Sequence, residues 1–337
     1  MCIRSSWILS NQQNSTIKES NRQNIIHKRL PYNIKQIKKS LQDNNLTIAR
    51  ADKSKAMVII DKTDMEQKIN NFISENNIME LKKDPATTYH KRTQQLVKKC
   101  TNIIERSKST YMLNIKPEAP KLNAYIKTHK SNEPIRLVID NTLAPAYKLA
   151  KYLNNKMKDY IDLPKTYAIN NSKELAGELK QLHIGDHHRM ITMDIKDLYV
   201  NLPKQGRIQS TTTWLERNKV YKEDKEQILQ LLKIIIEQNY FQHNNKYYKP
   251  TKGIAVGSPI SGTLAEIYLQ LLEEHHVKHW IENGDLFYYK RYVDDILIII
   301  DTIKTDENIL ENRMNNIDNN LEFKIMAEPI TRLTTWI

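Results

Sequence analysis

The chain has 337 residues, 39% of them hydrophobic and 27% charged, long enough for one large domain or two ordinary ones. Cys2 and Cys100 are its only cysteines, which excludes a disulfide framework or a cysteine-built zinc finger and fits a reducing compartment. The net charge of +13 calls for an anionic partner, nucleic acid first and an acidic membrane surface second, with a plain solvated basic surface as the bland alternative.

Residues 1–45 are rich in Asn, Gln, Ser and Lys without sustained periodicity, and are expected to form a polar, basic, poorly ordered or loosely helical extension. Its first residues lack the apolar run of a signal peptide. Order is expected from "TIARADKSKAMVIIDKTDMEQKINNFI", with a short buried strand at Met57 to Ile60. A helix then starts near Asp64 with Ile69 and Phe72 on one face. Apolar residues at helical spacing predict a helix over 88–106, carrying Leu96, Val97, Cys100, Ile103 and Ile104. "PKLNAYIKTHKSNEPIRLVIDN" reads as two extended segments joined by a polar turn at Ser131 to Pro134. Helices follow at 145–160 and 172–183, the second with Ser172 as N-cap, and a strand "RMITMDI" ends at Asp194. Helices over 204–217 and 222–238 lead to a hairpin, "YFQHNNKYY", and another helix spans 260–278. Then come "YYKRY", a double Asp, "ILIII", a helix near 306–320 and the strand "EFKIMAE". "ILIII" is the longest apolar run, far below transmembrane length, so a soluble intracellular protein is expected. Helices mixed with antiparallel strands in this order predict an α+β fold.

The chemistry concentrates in "YYKRYVDDILIII". A strand–turn–strand hairpin there puts Asp294 and Asp295 at its tip, between buried strands. Asp194 closes another apolar strand a hundred residues earlier. Side by side, the two strand ends make a divalent-cation site of Asp194 and Asp294 with Asp295 nearby, of hard oxygens that suit Mg²⁺ or Mn²⁺ better than Zn²⁺. Two such ions, about 3.5–4 Å apart, activate a 3′-hydroxyl and stabilise a leaving pyrophosphate, and they offset the repulsion of the paired carboxylates. The bland alternative is that the double Asp merely forms a turn.

Four stretches together resemble the reverse transcriptases. Tyr-Val-Asp-Asp at a hairpin tip looks like the family's catalytic box, and "MDIKDLYVNLP" looks like its first palm motif. "GIAVGSPISGTLAEIYLQLLEE" resembles the Gly-Ser-Pro motif that leads into a long helix, and "AYIKTHKSNEPIRLVI" the fingers motif. With "RADKSKAMVIIDKTD" upstream and Asn201-Leu202-Pro203 after the first palm motif, the chain is most similar to Penelope-like element reverse transcriptases, relatives of telomerase. The resemblance spans roughly residues 50–325. It implies a right-hand polymerase fold of fingers plus palm, with an antiparallel palm sheet and a catalytic hairpin. Fingers and the start of the palm are expected over 46–190, the rest of the palm over 191–325, and a truncated end where a thumb would begin over 326–337.

The resemblance assigns roles residue by residue. Asp194, Asp294 and Asp295 are the expected catalytic metal ligands for two Mg²⁺ or Mn²⁺ ions. Tyr199 lies under the sugar of the incoming deoxynucleoside triphosphate, clashing with a 2′-hydroxyl. Lys127 and Arg136 offer charge to the triphosphate, and Gly257 and Ser258, assigned to nucleotide binding, allow close backbone approach to the template–primer or nucleotide. Lys130 and Tyr292 are assigned to template–primer. The implied partners are an RNA template, a DNA primer and deoxynucleoside triphosphates, with no membrane; nuclear residence follows from the family's DNA target.

The chain departs from the family at Asp197, where Ser is usual, at Pro250 near the place of a common Gln, and at Val256 and Gly262. It also stops at "AEPITRLTTWI", where relatives continue into a thumb and usually an endonuclease. A catalytically inactive nucleic-acid-binding remnant is the alternative; an RNA-directed RNA polymerase is disfavoured by Tyr199. The histidines of "HHVKHW" and the pair His187 and His188 read as solvated surface rather than zinc ligands.

Overall fold

The structure, a computed structural model, describes residues 32–326, so expectations on 1–31 and 327–337 lie outside it. In chain order its elements are α1 (32–43), β1 (Leu46–Ala51), β2 (Met57–Asp61), α2 (Lys62–Glu75), β3 (Met79–Leu81), α3 (Ala86–Lys99), β4 (Lys121–Ile126) and β5 (Ile135–Asp140). There follow α4 (Tyr147–Tyr160), α5 (Ser172–Leu179), β6 (His188–Lys196), α6 (Leu198–Asn201), α7 (Lys204–Arg217), α8 (Lys222–Glu237), β7 (Phe241–His243) and β8 (Lys246–Lys249). Last come α9 (Ser261–Leu272), a π-turn (Glu273–Val277), α10 (Lys278–Glu282), β9 (Tyr288–Tyr292), β10 (Asp295–Asp301), α11 (Glu307–Asn315) and β11 (Glu322–Ile325). The fold is α+β.

The chain divides into two compact units. One holds the described residues up to Glu80 together with Lys121–Ile139; the other holds Leu81–Pro120 and the described residues from Asp140 onward. In the first, β1 pairs antiparallel with β2 and parallel with β4, and β5 pairs with β4. Ala49, Ile60 and Ile126 pack on Met65 and Ile69 of α2, whose N-terminus is capped by the Asp61 carboxylate accepting from the Thr63 and Asp64 amides. The strand at Met57 to Ile60 is therefore buried on one face only: Met57 and Ile59 are exposed, no second layer among the described residues of this unit covering them. The β4–β5 turn carries Asn132 and Glu133 in left-handed conformation.

The second unit has a helical core and a sheet. Leu149, Leu153 and Met157 of α4 meet Ile228, Leu231, Leu232 and Ile235 of α8 and Trp214 and Leu215 of α7. The helix expected over 88–106 ends at Lys99, and Ile103 and Ile104 reach this core from a following turn. Asn171, not Ser172, caps α5, accepting from the amides of Lys173 and Glu174. The helix expected over 260–278 is interrupted by the π-turn. The sheet has strand order β11-β6-β10-β9, antiparallel throughout. Its central strand β10 is buried on both faces, which is why it is nearly pure Ile and Leu. Ile296, Ile298 and Ile300 pack toward α9 and α11, while Leu297 and Ile299 pack with Ile169, Leu175 and Tyr288. Nothing among the described helices is long and apolar enough to cross a membrane.

Candidate active site

The β6–β10 register sets Asp194 directly opposite Asp295, with Met193 opposite Ile296 and Thr192 opposite Leu297. Residues so paired share one face of the sheet. Asp294 sits in the β9–β10 turn one residue earlier, and its carbonyl accepts from the Ile195 amide at 2.9 Å. The three aspartates predicted from the sequence thus come together at one end of the sheet, with Asp294 half-buried and Asp295 exposed. Among the described residues, no group of three His, Cys, Asp or Glu side chains is arranged as a ready-made ion cage. The donor set nonetheless fits Mg²⁺, which is held by one or two carboxylates plus substrate phosphates more often than by an all-protein cage. The histidines of "HHVKHW" form no such cage either, and His275 instead bonds the Leu271 carbonyl.

The turn itself is strained. Val293 has φ 58°, a left-handed conformation that a β-branched residue adopts at a cost of roughly 1–3 kcal/mol. Beneath it lies Arg291, 1% exposed. Its guanidinium bonds Glu266 (2.9 and 3.1 Å) and Glu273 (2.6 and 3.1 Å), and its Nη1 also donates to the Val293 carbonyl at 3.1 Å. The Tyr289 hydroxyl donates to Glu273 at 3.1 Å, so that carboxylate is satisfied from two sides. Burial raises the Glu273 pKa against the pull of Arg291; in the less buried Glu266 burial acts the same way, but the Arg291 hydrogen bonds and charge outweigh it and lower the pKa. Removing the arginine alone would leave the buried Glu273 carboxylate unpaired beside the partly buried Glu266, a loss of about 3–5 kcal/mol.

The segment after β6 completes the site. Asp197 is left-handed (φ 48°), and its carbonyl accepts from the amides of Val200 (2.8 Å) and Asn201 (3.1 Å), folding the chain into α6. Asp tolerates that conformation better than most residues, a physical reason for it at this position. Tyr199 is half-buried, packed against both the helical core and the sheet core. Its phenol pKa is raised by burial first, then by the charges of the Asp294 and Glu266 carboxylates.

Gly253 locks this segment to the loop before α9. Its φ is +75°, and a Cβ there would lie 2.4 Å from the Val200 carbonyl oxygen and 2.8 Å from that of Tyr199. Its amide donates to Leu202 (3.1 Å), and the next amide, of Ile254, donates to Tyr199 (2.7 Å). The Gly253 carbonyl accepts from Arg207 Nη2 (2.9 Å) and Asn239 (3.2 Å). Arg207 is fully buried, and burial pushes its pKa down to about 10. Gly257 is also left-handed (φ 117°), and the amide of Ser258 closes a turn onto Ala255 at 3.1 Å.

The remaining predicted residues fall in two places. Tyr292 flanks the turn opposite Asp295 and is 45% exposed. Lys127, Lys130 and Arg136 belong to the first unit, the two lysines after β4 and the arginine on β5. Arg136 is not an unencumbered charge: Nη1 lies 3.2 Å from the Asp52 carboxylate, which is 5% exposed. Arg291, Glu266, Glu273, Gly253 and Arg207 were not singled out from the sequence. Two glutamates seven residues apart on α9 and the π-turn after it, facing a strand arginine, are the signal that identifies the first three.

The family model for reverse transcriptase (RNA-dependent DNA polymerase) matches residues 142–328, more than half of the chain. No curated protein matches it. Among solved structures, it is similar to telomerase from Candida albicans in complex with a TWJ fragment of telomeric RNA, at 12% identity and TM-score 0.52, over 85% of this chain and 51% of that one. It is similar also to apo telomerase from Candida tropicalis truncated from its C-terminal domain, at 11% identity and TM-score 0.53, over 85% of this chain and 60% of that one. At these identities the likeness is one of fold, and the chain spans between half and three-fifths of those telomerase chains. From its family match, its α+β fold and the aspartates gathered at one sheet end, the chain belongs to the reverse transcriptase (RNA-dependent DNA polymerase) family.

Proposed function

We propose that the chain is the RNA-directed DNA polymerase domain of a Penelope-like retroelement, transferring a deoxynucleotidyl group to a primer 3′-hydroxyl. The observation that carries this reading is the register setting Asp194 against Asp295 beside Asp294, in a chain of the reverse transcriptase family. Asp194 and Asp294 are the principal ligands for two Mg²⁺ or Mn²⁺ ions, with Asp295 in support. Bound there, the ions supply activation of the 3′-hydroxyl and neutralise charge on the departing pyrophosphate. The chain's own residues do the positioning. Tyr199, its carbonyl held by the Ile254 amide, presents its ring to the sugar and rejects a ribose 2′-hydroxyl. Gly257 and Ser258 present backbone to the nucleotide, Lys127 and Arg136 face its triphosphate, and Lys130 and Tyr292 meet template–primer. Fingers and the start of the palm are assigned to 46–190 and the rest of the palm to 191–325, and the DNA target implies work in the nucleus.

Extension of a DNA primer on an RNA template, with deoxynucleotides and Mg²⁺ or Mn²⁺, tests the proposal. Extension is the expected result. Binding of primer–template in low salt without extension would overturn it in favour of a nucleic-acid-binding remnant.

A further inference from the structure

We propose that Arg291 is a positioning residue for the candidate catalytic turn: its guanidinium, braced by Glu266 and Glu273, holds the Val293 carbonyl and so fixes the peptide that carries Asp294. The inference rests on the polymerase reading given above.

Three observations support it. First, the arginine has no role at the surface, being 1% exposed and spanned by two carboxylates from α9 and the π-turn. A buried ion triad is a costly way to fill space, since apolar residues of similar volume serve stability as well or better. Second, among the described residues the guanidinium has one donor contact beyond the two glutamates, and it falls on the carbonyl of Val293. That residue is the turn's left-handed, β-branched member, so the peptide between Val293 and Asp294 is held where the chain would otherwise relax. Third, the backbone of Arg291 is itself pinned, its amide donating to Tyr167 (2.8 Å) and its carbonyl accepting from Ile169 (3.0 Å). The side chain therefore reaches the turn from a fixed base. Only a planar fork of donors serves two carboxylates and a carbonyl at once; an ammonium keeps the charge without that geometry.

The test compares wild type, Arg291→Lys, Glu273→Gln and the double variant Arg291→Lys with Val293→Asn, by amide hydrogen exchange and by single-turnover primer extension. Arg291→Lys keeps the charge that balances the glutamates. The Ile195 amide reports the turn, because it donates to the Asp294 carbonyl. Exchange at Ile195 is expected to rise about tenfold or more in Arg291→Lys, while the paired core residues Ile191 and Ile298 stay within about twofold. The extension rate is expected to fall about 10- to 100-fold, the loss that follows a misplacement near 1 Å, with primer–template affinity unchanged. Asn adopts the left-handed turn with less strain, so the double variant should recover part of both losses. Glu273→Gln, nearly isosteric, should move both readouts in the same direction by a few-fold, and it decides the matter if Arg291→Lys does not fold. Exchange that rises evenly across the sheet, or both readouts within twofold of wild type, would overturn the inference. If the wild type extends no primer, the polymerase reading fails, and exchange at Ile195 still decides whether Arg291 holds the turn.

Discussion

Replacing Gly253 by Ala should be among the most damaging single-methyl changes in the second unit, although it lies in a loop and has no side chain of its own. Left-handed backbone at φ +75° costs an L-residue about 1–2 kcal/mol. The new Cβ would also stand 2.4 Å from the Val200 oxygen and 2.8 Å from the Tyr199 oxygen, both backbone atoms that cannot swing aside. Forcing the two segments apart adds about 1–3 kcal/mol of overpacking, so the total loss is about 2–5 kcal/mol. The displacement falls on the carbonyl of Tyr199 and on the Ile254 bond at 2.7 Å, so Tyr199 moves with it. Urea denaturation of wild type and Gly253→Ala measures the first effect, with Gly262→Ala as the contrast. Gly262 is at the start of α9 with nothing within 4 Å of its would-be Cβ, so the same methyl there should stabilise by up to about 1 kcal/mol. Gly253→Ala within about 1 kcal/mol of wild type would refute the reasoning.

Tyr199→Ala should relax sugar selection, raising incorporation of ribonucleotides relative to deoxynucleotides; paired primer-extension rates with the two nucleotide types check this, and an unchanged ratio would sink the role. Tyr240→Phe should leave stability unchanged or raise it by about 1 kcal/mol in urea denaturation, because the hydroxyl is buried without a hydrogen-bond partner among the described residues. Burial pushes the Cys100 thiol up to about 11 from an ordinary value of 9.0. The folded state therefore keeps that proton longer than the unfolded chain, and the stabilisation it represents is complete below pH 9 and lost as pH rises toward 11. The stability difference between wild type and Cys100→Ala should narrow by about 2–3 kcal/mol across that window.

Much of this was legible in the sequence because it rests on periodicity and on short-range chemistry. An unbroken Ile and Leu run after two aspartates reads as a strand covered on both faces, and β10 is that strand. The aspartates converge because β6 and β10 end at the same edge of the sheet, which two apolar strands closed by Asp suggest. The missed features depend on what stands opposite. "YYKRY" looks basic and solvent-facing until alternation is matched with Glu266 and Glu273 on α9 and the π-turn, and then Arg291 faces inward. Gly253 looks like any loop glycine, since its need comes from the Val200 and Tyr199 carbonyls fifty residues away. The ion pair between Arg136 and Asp52 is equally hidden, because the two residues are distant in sequence. Helix ends also escaped, because Ile103 and Ile104 keep the apolar spacing of α3 beyond Lys99, where a turn serves the same core.

The central claim is that Asp194 and Asp294, brought together by the β6–β10 register, carry polymerase chemistry. The most direct measurement is single-turnover extension of a DNA primer on an RNA template in Mg²⁺ or Mn²⁺, comparing the wild-type chain with Asp294→Asn. Extension by the wild type that falls by at least about a thousandfold in Asp294→Asn, with primer–template binding retained, is the predicted result. Equal rates for the two proteins would contradict the claim, and so would a wild type that binds primer–template and adds nothing to it.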